Sequence, residues 1–403
     1  MSKPSPTRTV DRSHAEALDA ADPLASWRDE FVINDPELVY LDGNSLGMTP
    51  KRTVAAVRDV VETQWSGDLI TSWWKHDWLN LPLVVGDELA PIIGARPGEV
   101  VVNESTTVCL FQLVNVALDL GSDDERRGGV VAVEDTEFPT DRYVVDGIAR
   151  LRPGVRVRSG LTDLDGVDVV VRSLVDYRTA ALHDMAAETA RAKAAGAVTV
   201  WDLSHTAGVV PVDLTTAGAD LAAGCTYKFL NGGPGAPAFS YVRSELHDRL
   251  RQPIQGWFAQ QDQFAMDEPF SARHGMAAMM NGTPQVLGLT AARSGISVTA
   301  DAGIDAIAAK AHALANYTLD LADALGLRTS TERPPASSGG HVSVNHPDAT
   351  ELQVQLADRS IIVDKRDPDV LRLGLSPLTT RFVDVHTALT TLHELCDRAP
   401  IRS

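Results

Sequence analysis

The chain has 403 residues, 44% of them hydrophobic and 22% charged, with 54 Asp and Glu against 36 Lys and Arg for a formal net charge of −18. That length suits two or three domains with a large buried core, and so acidic a surface repels phosphate backbones and anionic lipid, which argues against nucleic-acid or membrane-surface partners. Cys109, Cys225 and Cys396 are scattered, odd in number and without CxxC spacing, so the pattern speaks against a disulfide framework or a Cys-based metal site and for a reducing cytoplasm.

Residues Met1 to Glu30 are polar and charged with no apolar h-region, so no signal peptide is expected; they read as a polar arm with some helical character. No stretch approaches about 18 uncharged apolar residues, and no bilayer span is expected. Thr49-Pro50 opens a helix whose apolar positions Val54, Val57, Val61 and Trp65 step by three and four. A second helix follows Ser105-Thr106-Thr107, carries the stripe Leu110, Leu113, Val114, Ala117 and Leu118, and stops at Gly121. The charge run Asp123 to Arg127 reads as a solvated loop. Short apolar runs at Val130–Val133, Val167–Val171, Val198–Trp201 and Ala236–Val242 read as strands, and an alanine-rich helix from Asp184 to Ala195 lies between the second and third. Such runs alternating with helices indicate strands buried on both faces, hence a mainly parallel sheet in an α/β layer. Beyond residue 290 the order is helix (Ala302 to Leu325), a loop over 333–340, strand (His341 to Asn345), helix, strand (Val370 to Leu375) and a final helix, a smaller α+β unit. The expected division is residues 1–48 as an arm and part of the small domain, 49–290 as the large domain and 291–403 as the C-terminal small domain.

The stretch from Val198 to Tyr241 carries the most chemistry. A buried strand runs into Trp201-Asp202-Leu203-Ser204-His205; after a second apolar segment, Ala219 to Ala223, come Tyr227-Lys228-Phe229 and the glycine-rich turn Asn231 to Gly235. A carboxylate at the C-terminal end of a buried strand points into the crevice where open α/β sheets bind ligands. A lysine between apolar residues loses pKa by desolvation and suits Schiff-base chemistry with an aldehyde cofactor. Asp and Lys together meet the needs of pyridoxal phosphate, the acid holding the pyridine nitrogen protonated and the lysine carrying the aldehyde. An Asp and a Lys at this spacing also occur together by chance. Thr106 and Thr107 at a helix N-terminus suit a phosphate, or serve as a simple cap. No His/Cys/Asp cluster has metal-ligand spacing, and the glycine turn lacks the GxGxxG spacing of a dinucleotide site. His341 and His346 read as flanking a strand.

In this order along the chain, Tyr40-Leu41-Asp42-Gly43-Asn44-Ser45-Leu46-Gly47, Glu137-Phe138-Pro139-Thr140-Asp141, Tyr177-Arg178-Thr179, Asp202-Leu203-Ser204-His205, Tyr227-Lys228 through Gly235, Gln255-Gly256-Trp257-Phe258, Gly282-Thr283-Pro284 and Arg372-Leu373-Gly374-Leu375-Ser376-Pro377 resemble the kynureninase family. That family has the fold-type-I pyridoxal-phosphate architecture of the class V aminotransferases. The resemblance implies a large domain with a mainly parallel, seven-stranded-type sheet, a smaller α+β domain, the cofactor pyridoxal 5′-phosphate and a homodimer with shared active sites. By the same resemblance Lys228 would carry the cofactor aldehyde, Asp202 would pair with the pyridine nitrogen, Phe138 would stack on the ring, and Thr106, Thr107, Asp141, Ser173, His205 and Tyr227 would be further cofactor contacts. Trp257 and Thr283 would reach the phosphate end across the dimer interface. Arg372 would take the substrate α-carboxylate, with Asn44 and Ser45 beside it, and Tyr227 would carry a proton. The implied reaction is hydrolysis of the Cβ–Cγ bond of L-kynurenine or a ring-substituted kynurenine to an anthranilate and L-alanine, as in tryptophan catabolism.

Two departures fall where the family places its side-chain pocket. Ala259-Gln260 stands where Gly-His is common, and Ala278-Met279 where an Arg-Phe pair is common, so a ring-modified substrate is one expectation. Trp73-Trp74-Lys75-His76-Asp77-Trp78 suits either a substrate mouth or a dimer interface. The other readings are a further class V enzyme, an aminotransferase or β-lyase acting on a related aryl-keto amino acid or a cysteine desulfurase, and a non-catalytic cofactor-binding protein. The only cysteine after Lys228 is Cys396, at the chain's end, which is not where a desulfurase nucleophile belongs.

Overall fold

A computed structural model describes residues 10–120, 128–266, 269–333 and 338–398. The helix stop expected at Gly121, the charge run 123–127 and residues 334–337 of the expected loop lie outside that set. The strands in chain order are β1 (Val39–Leu41), β2 (Val100–Val102), β3 (Val130–Val133), β4 (Arg156–Ser159), β5 (Val169–Ser173), β6 (Val198–Asp202), β7 (Leu221–Gly224), β8 (Phe239–Val242), β9 (His341–Asn345), β10 (Ile361–Arg366) and β11 (Val370–Gly374).

Seven strands form one sheet in the order β2-β8-β7-β6-β5-β3-β4. The five from β4 to β7 pair in parallel, and β8 runs against both of its neighbours. The fold is therefore the α/β class with the mostly parallel seven-stranded sheet that the sequence implied. Strands β3 and β7 are buried along their whole length, which is why they read as unbroken apolar runs. Strand β4 is different: Arg156-Val157-Arg158-Ser159 is an exposed edge, and its charged residues, which protect a free edge from further pairing, hid it from an apolar-run search. The helix Thr106–Leu120 packs on one face of this sheet, its Leu110, Leu113, Val114 and Ala117 buried with Val131, Val169 and Val200. The helix Met185–Ala194 lies beside β6, its N-cap Asp184 accepting from the Ala187 N–H at 3.0 Å.

The second sheet has the order β1-β10-β11-β9. Here β1, from the N-terminal stretch, joins a C-terminal meander by parallel pairing with β10. The expected helix from Ala302 to Leu325 is the helix Ile304–Ala324; a further helix, Val286–Ala302, precedes it, and the two meet at Gly303 with φ +82°, a conformation open to glycine. The polar arm carries a helix, as expected. Its helix Arg12–Ala20 packs on the final helix Phe382–Arg398, and the Asp19 carboxylate accepts from the Phe382 and Val383 N–H groups at 2.7 and 3.0 Å. A buried Lys310–Asp22 ion pair at 2.6 Å completes the attachment.

The helix opened at Thr49-Pro50 turns its apolar stripe away from the core. The stripe Val54, Val57, Val61 and Trp65 does not enter this chain's core; Val54 is 42% and Trp65 54% exposed, while Thr53 and Val60 point inward. The helix Lys51–Asp59 continues as a wider turn over Val60–Trp65, and its apolar side faces outward. No helix among the described residues is long and apolar enough to cross a membrane.

Candidate active site

Parallel strands leave their C-terminal ends open on one side of the sheet, and loops there converge on a crevice. Strands β5 and β6 end side by side at Ser173 and Asp202, above the N-terminus of the helix Thr106–Leu120. A cleft of about 120 Å³ opens at this point, lined by Thr106, Thr107, Phe138, Thr140, Asp141, Ser173, Asp202, Ser204, His205, Tyr227 and Lys228. Nine residues singled out as cofactor contacts in the sequence thus meet in one place. Trp257 and Thr283 are not among them: Trp257 is 39% exposed and Thr283 lies on the surface.

Lys228 is held from both directions along the chain. The Gly47 N–H donates to the Tyr227 carbonyl at 2.8 Å and the Asn231 N–H to the Lys228 carbonyl at 2.9 Å. A Cβ on Gly47 would stand 2.3 Å from the Lys228 carbonyl oxygen, so the glycine that ends the Asp42–Gly47 motif is required by this approach. The amine meets His205 Nε2 at 3.0 Å. Burial and the nearby Lys228 push the His205 imidazole well below the usual histidine range, so it is neutral, with Nδ1 buried and unpartnered.

Opposite stands a set of buried carboxyls. Asp202 accepts from the Ser204 N–H at 2.7 Å, and burial raises its pKa despite Ser204 and Lys228. Burial together with the charges of Asp202 and Glu137 pushes Asp141 well above the carboxylate range; its Oδ2 has no partner. Such a pair shares a proton more readily than it holds two charges. Glu137 has both oxygens engaged, by the Phe138 N–H at 3.0 Å and the Ser173 N–H at 2.9 Å. It fixes the start of the helix Pro139–Leu151 against β5 and sets the Phe138 ring edge-on to Tyr177, with centroids 5.2 Å apart. Among the residues read from sequence Glu137 carries no role of its own, and its signal there is a carboxylate just before the phenylalanine. Burial also raises the Tyr227 phenol, which keeps its proton.

The cleft accepts pyridoxal phosphate by charge and by donor set. Helix N-terminal N–H groups at Thr106 and Thr107 suit the phosphate, the acidic pair suits a protonated ring nitrogen, and the orphaned atoms of Asp141 and His205 await polar partners. Lys228 stands between them. Among the described residues no group of three or more His, Cys, Asp or Glu side chains is placed to hold a metal.

A second polar cluster adjoins the cleft from the small sheet. Arg372, fully buried on β11, donates through Nε to Asp364 Oδ2 at 2.7 Å, through Nη2 to the same oxygen, and through Nη1 to the Tyr177 carbonyl at 2.6 Å. Asn44 is fully buried with both amide atoms unpartnered, as is Ser45 Oγ. A Cβ on Gly374 would lie 2.0 Å from Asn44 Oδ1. His341 faces Gly374 across β9 and β11; its ring is fully buried, has neither nitrogen bonded, and lies 5.7 Å from the His205 ring. Placing it as a strand-flanking histidine missed that it joins the two clusters. Unpaired buried polar atoms cost about 1–3 kcal/mol each, a cost that a zwitterionic ligand would remove.

The two departures have structural explanations. Ala278 and Met279 are buried in the large core, where the Met279 carbonyl accepts from Asn103 Nδ2 and Gln112 Nε2. Gln260 clasps its own loop, Oε1 accepting from the Ser271 N–H at 2.6 Å. Trp73 and Trp78 line a separate apolar groove of about 550 Å³ with Val60, Trp65, Ile70 and Leu287.

Residues 307–392 match the family described as Kynureninase C-terminal domain. The kynureninase of Pseudomonas fluorescens is 39% identical over 402 residues, covering 96% of each chain. That of Deinococcus radiodurans is 41% identical over 403 residues, covering 96% of this chain and 97% of the relative. Among solved structures, an apo cysteine desulfurase from Thermococcus onnurineus superposes with a TM-score of 0.78 at 21% identity, covering 90% of this chain and 96% of its own. A cystine C–S lyase in complex with cysteine persulfide gives 0.76 at 16% identity, covering 89% and 98%. At those identities the likeness is one of fold.

Asp42, at the edge of the Arg372 cluster, gives a pH test of this environment. Burial pushes its carboxyl from 3.8 up to about 6. A raised native pKa means that the native chain binds the proton more tightly than the unfolded chain. The resulting stability is complete below pH 3.8 and is lost as pH rises through 6. The melting temperature of Asp42→Asn relative to the parent should therefore climb between pH 4 and pH 6 and level off above; a difference that stays flat in thermal melts over that range contradicts the assignment.

Proposed function

This chain belongs to the kynureninase family, and from that premise we infer that it is a pyridoxal-5′-phosphate-dependent hydrolase that cleaves the Cβ–Cγ bond of L-kynurenine, consuming water and releasing anthranilate and L-alanine. The observation that carries this reading is the meeting, in one cleft, of Lys228 with a buried acidic pair and a helix N-terminus, next to a buried arginine that has N–H groups to spare.

When bound, the cofactor supplies an electron-accepting ring that stabilises negative charge developing on the substrate carbons. In this reading Lys228 would hold its aldehyde carbon, and its Nζ would remove the Cα proton of the amino acid. Asp202 would pair with the ring nitrogen, a cationic partner that would offset its burial, and Asp141 would keep a proton beside it. Phe138 would cover the ring, Thr106 and Thr107 would donate to the phosphate, and Ser173 and His205 would contribute further contacts. Arg372 receives the α-carboxylate by a paired N–H contact, with Asn44 and Ser45 alongside. The protonated Tyr227 phenol is the group placed to deliver a proton to the three-carbon fragment before it leaves as alanine. Ring substitution on the substrate draws no support from Gln260 or from Ala278 and Met279, which are engaged in their own loop and core.

The reading extends to assembly and setting. The apolar groove and the outward stripe beside it, with Ile70 69%, Leu69 62% and Trp65 54% exposed, support a homodimer in which Trp257 and Thr283 serve the partner's site. Residues 49–290 would then form the cofactor-binding domain, and 1–48 with 291–403 the small domain that brings Arg372. Free Cys109, Cys225 and Cys396 fit the cytoplasm, and the substrate fits tryptophan catabolism.

Two outcomes follow. Lys228→Ala, loaded with cofactor, should lose the visible absorbance of the lysine-bound cofactor and at least about 10²-fold in anthranilate release; a variant that keeps band and turnover removes the central assignment. The parent should sediment as a dimer and the double variant Trp65→Asp, Ile70→Asp as an inactive monomer; a fully active monomeric parent contradicts the shared site.

A further inference from the structure

A guanidinium offers five N–H donors in one plane. In Arg372, Nε–H and one N–H of Nη2 go to Asp364 Oδ2, and one N–H of Nη1 goes to the Tyr177 carbonyl. One N–H on each terminal nitrogen is left without an acceptor among the described residues. A carboxylate bound in bidentate fashion needs two such donors side by side, so the contacts already made decide which edge of the fork stays open.

Asp364 is itself anchored. Its other oxygen accepts from the Lys365 N–H at 2.7 Å and from Arg366 Nη1 at 2.9 Å, and it stands directly opposite Arg372 in the antiparallel register of β10 and β11. The carboxylate therefore has little freedom to follow the guanidinium; the guanidinium follows it. The pairing also makes a fully buried arginine tolerable before any ligand arrives, since an uncompensated buried charge is strongly destabilising. Tyr177 comes from the other side, from the segment after β5, so the fork is clamped between the two sheets.

We propose that Asp364 is a positioning residue: it turns Arg372 so that one N–H of each terminal nitrogen faces the amino-acid ligand, and thereby sets affinity for the α-carboxylate without touching the substrate. This rests on the reading of Arg372 as the carboxylate receptor. A residue with that role acts on ligands that carry a carboxylate and leaves those that lack one unaffected, a distinction that a general contribution to folding does not produce.

The test uses the cofactor-loaded full chain and two probes followed by the visible spectrum: L-alanine, which carries the α-carboxylate, and ethylamine, which does not. In Asp364→Asn the dissociation constant for L-alanine should rise about tenfold or more, a loss of about 1.4 kcal/mol, while that for ethylamine is unchanged and kynurenine turnover shows a raised KM at nearly unaltered kcat. Asp364→Glu keeps the charge but advances the carboxylate by one methylene, and should show the same selective loss. Equal weakening of both probes, no weakening of either, or failure of both variants to fold and take up cofactor would each overturn the proposal. Arg372→Gln separates it from the reading beneath it. If that variant binds L-alanine as tightly as the parent, the receptor assignment itself fails; if it loses L-alanine while the Asp364 variants do not, only the positioning role is wrong.

Discussion

Asp202 ends β6 with its carboxylate removed from water, and the neighbouring features of the site answer that cost. The Ser204 N–H reaches back to it, Lys228 stands near it, and Asp141, itself pushed toward the neutral acid, lies against it. A buried acidic pair with too few protein donors is unfavourable alone and favourable once a cationic ring nitrogen arrives. The fold supplies the position because parallel strands end together, and on the proposed reading the helix that begins at Thr106 would offer its N-terminal N–H groups to the opposite end of the same ligand. One dipolar cofactor would then satisfy both ends.

The amino-acid end of the site depends on the second sheet. Strand β11 carries Arg372, β9 carries His341, and the loop after β1 carries Asn44 and Ser45, so residues more than three hundred positions apart in sequence are brought together. Contact between the two halves is made by the Tyr177 carbonyl on Arg372 and by the His205 and His341 rings. Both imidazoles are held neutral by burial and by neighbouring cations, which lets them sit together between Lys228 and Arg372 without adding charge. Since these residues come from both sheets, the placement of one sheet on the other sets the distance between Lys228 and Arg372, and with it, on the proposed reading, the span between bond cleavage and carboxylate binding.

How much of this was legible varies with how local the signal is. The parallel core announced itself in Val130–Val133 and Val198–Trp201, because strands buried on both faces must be apolar throughout. The helix beginning at Met185 was legible from its alanine-rich sequence. Edge strand β4 and strand β10 were not, since Arg156 and Arg158 in one, and Asp364, Lys365 and Arg366 in the other, break the apolar run that marks a strand. The outward turn of Val54, Val61 and Trp65 was hidden for another reason: a stripe of this period says that a face is apolar, and says nothing of whether its partner is the same chain. At the candidate site, Lys228, Asp202, Phe138 and Arg372 were singled out through motifs, whereas the contacts made by Glu137, Asp364 and His341 emerge only in the fold. Glu137 left the trace of a carboxylate just before the phenylalanine, and Asp364 that of the Asp367-Pro368-Asp369 turn, which folds β10 back on β11 and sets it opposite Arg372.

The most direct measurement is product analysis by mass spectrometry after the cofactor-loaded protein is incubated with L-kynurenine in water enriched in heavy oxygen. Hydrolysis between Cβ and Cγ turns the γ-carbonyl into a carboxylate with one oxygen from solvent, so the account predicts unlabelled L-alanine and anthranilate heavier by a single labelled oxygen, in equal amounts. Transfer of the amino group to a keto acid, or release of pyruvate and ammonia without anthranilate, would contradict it.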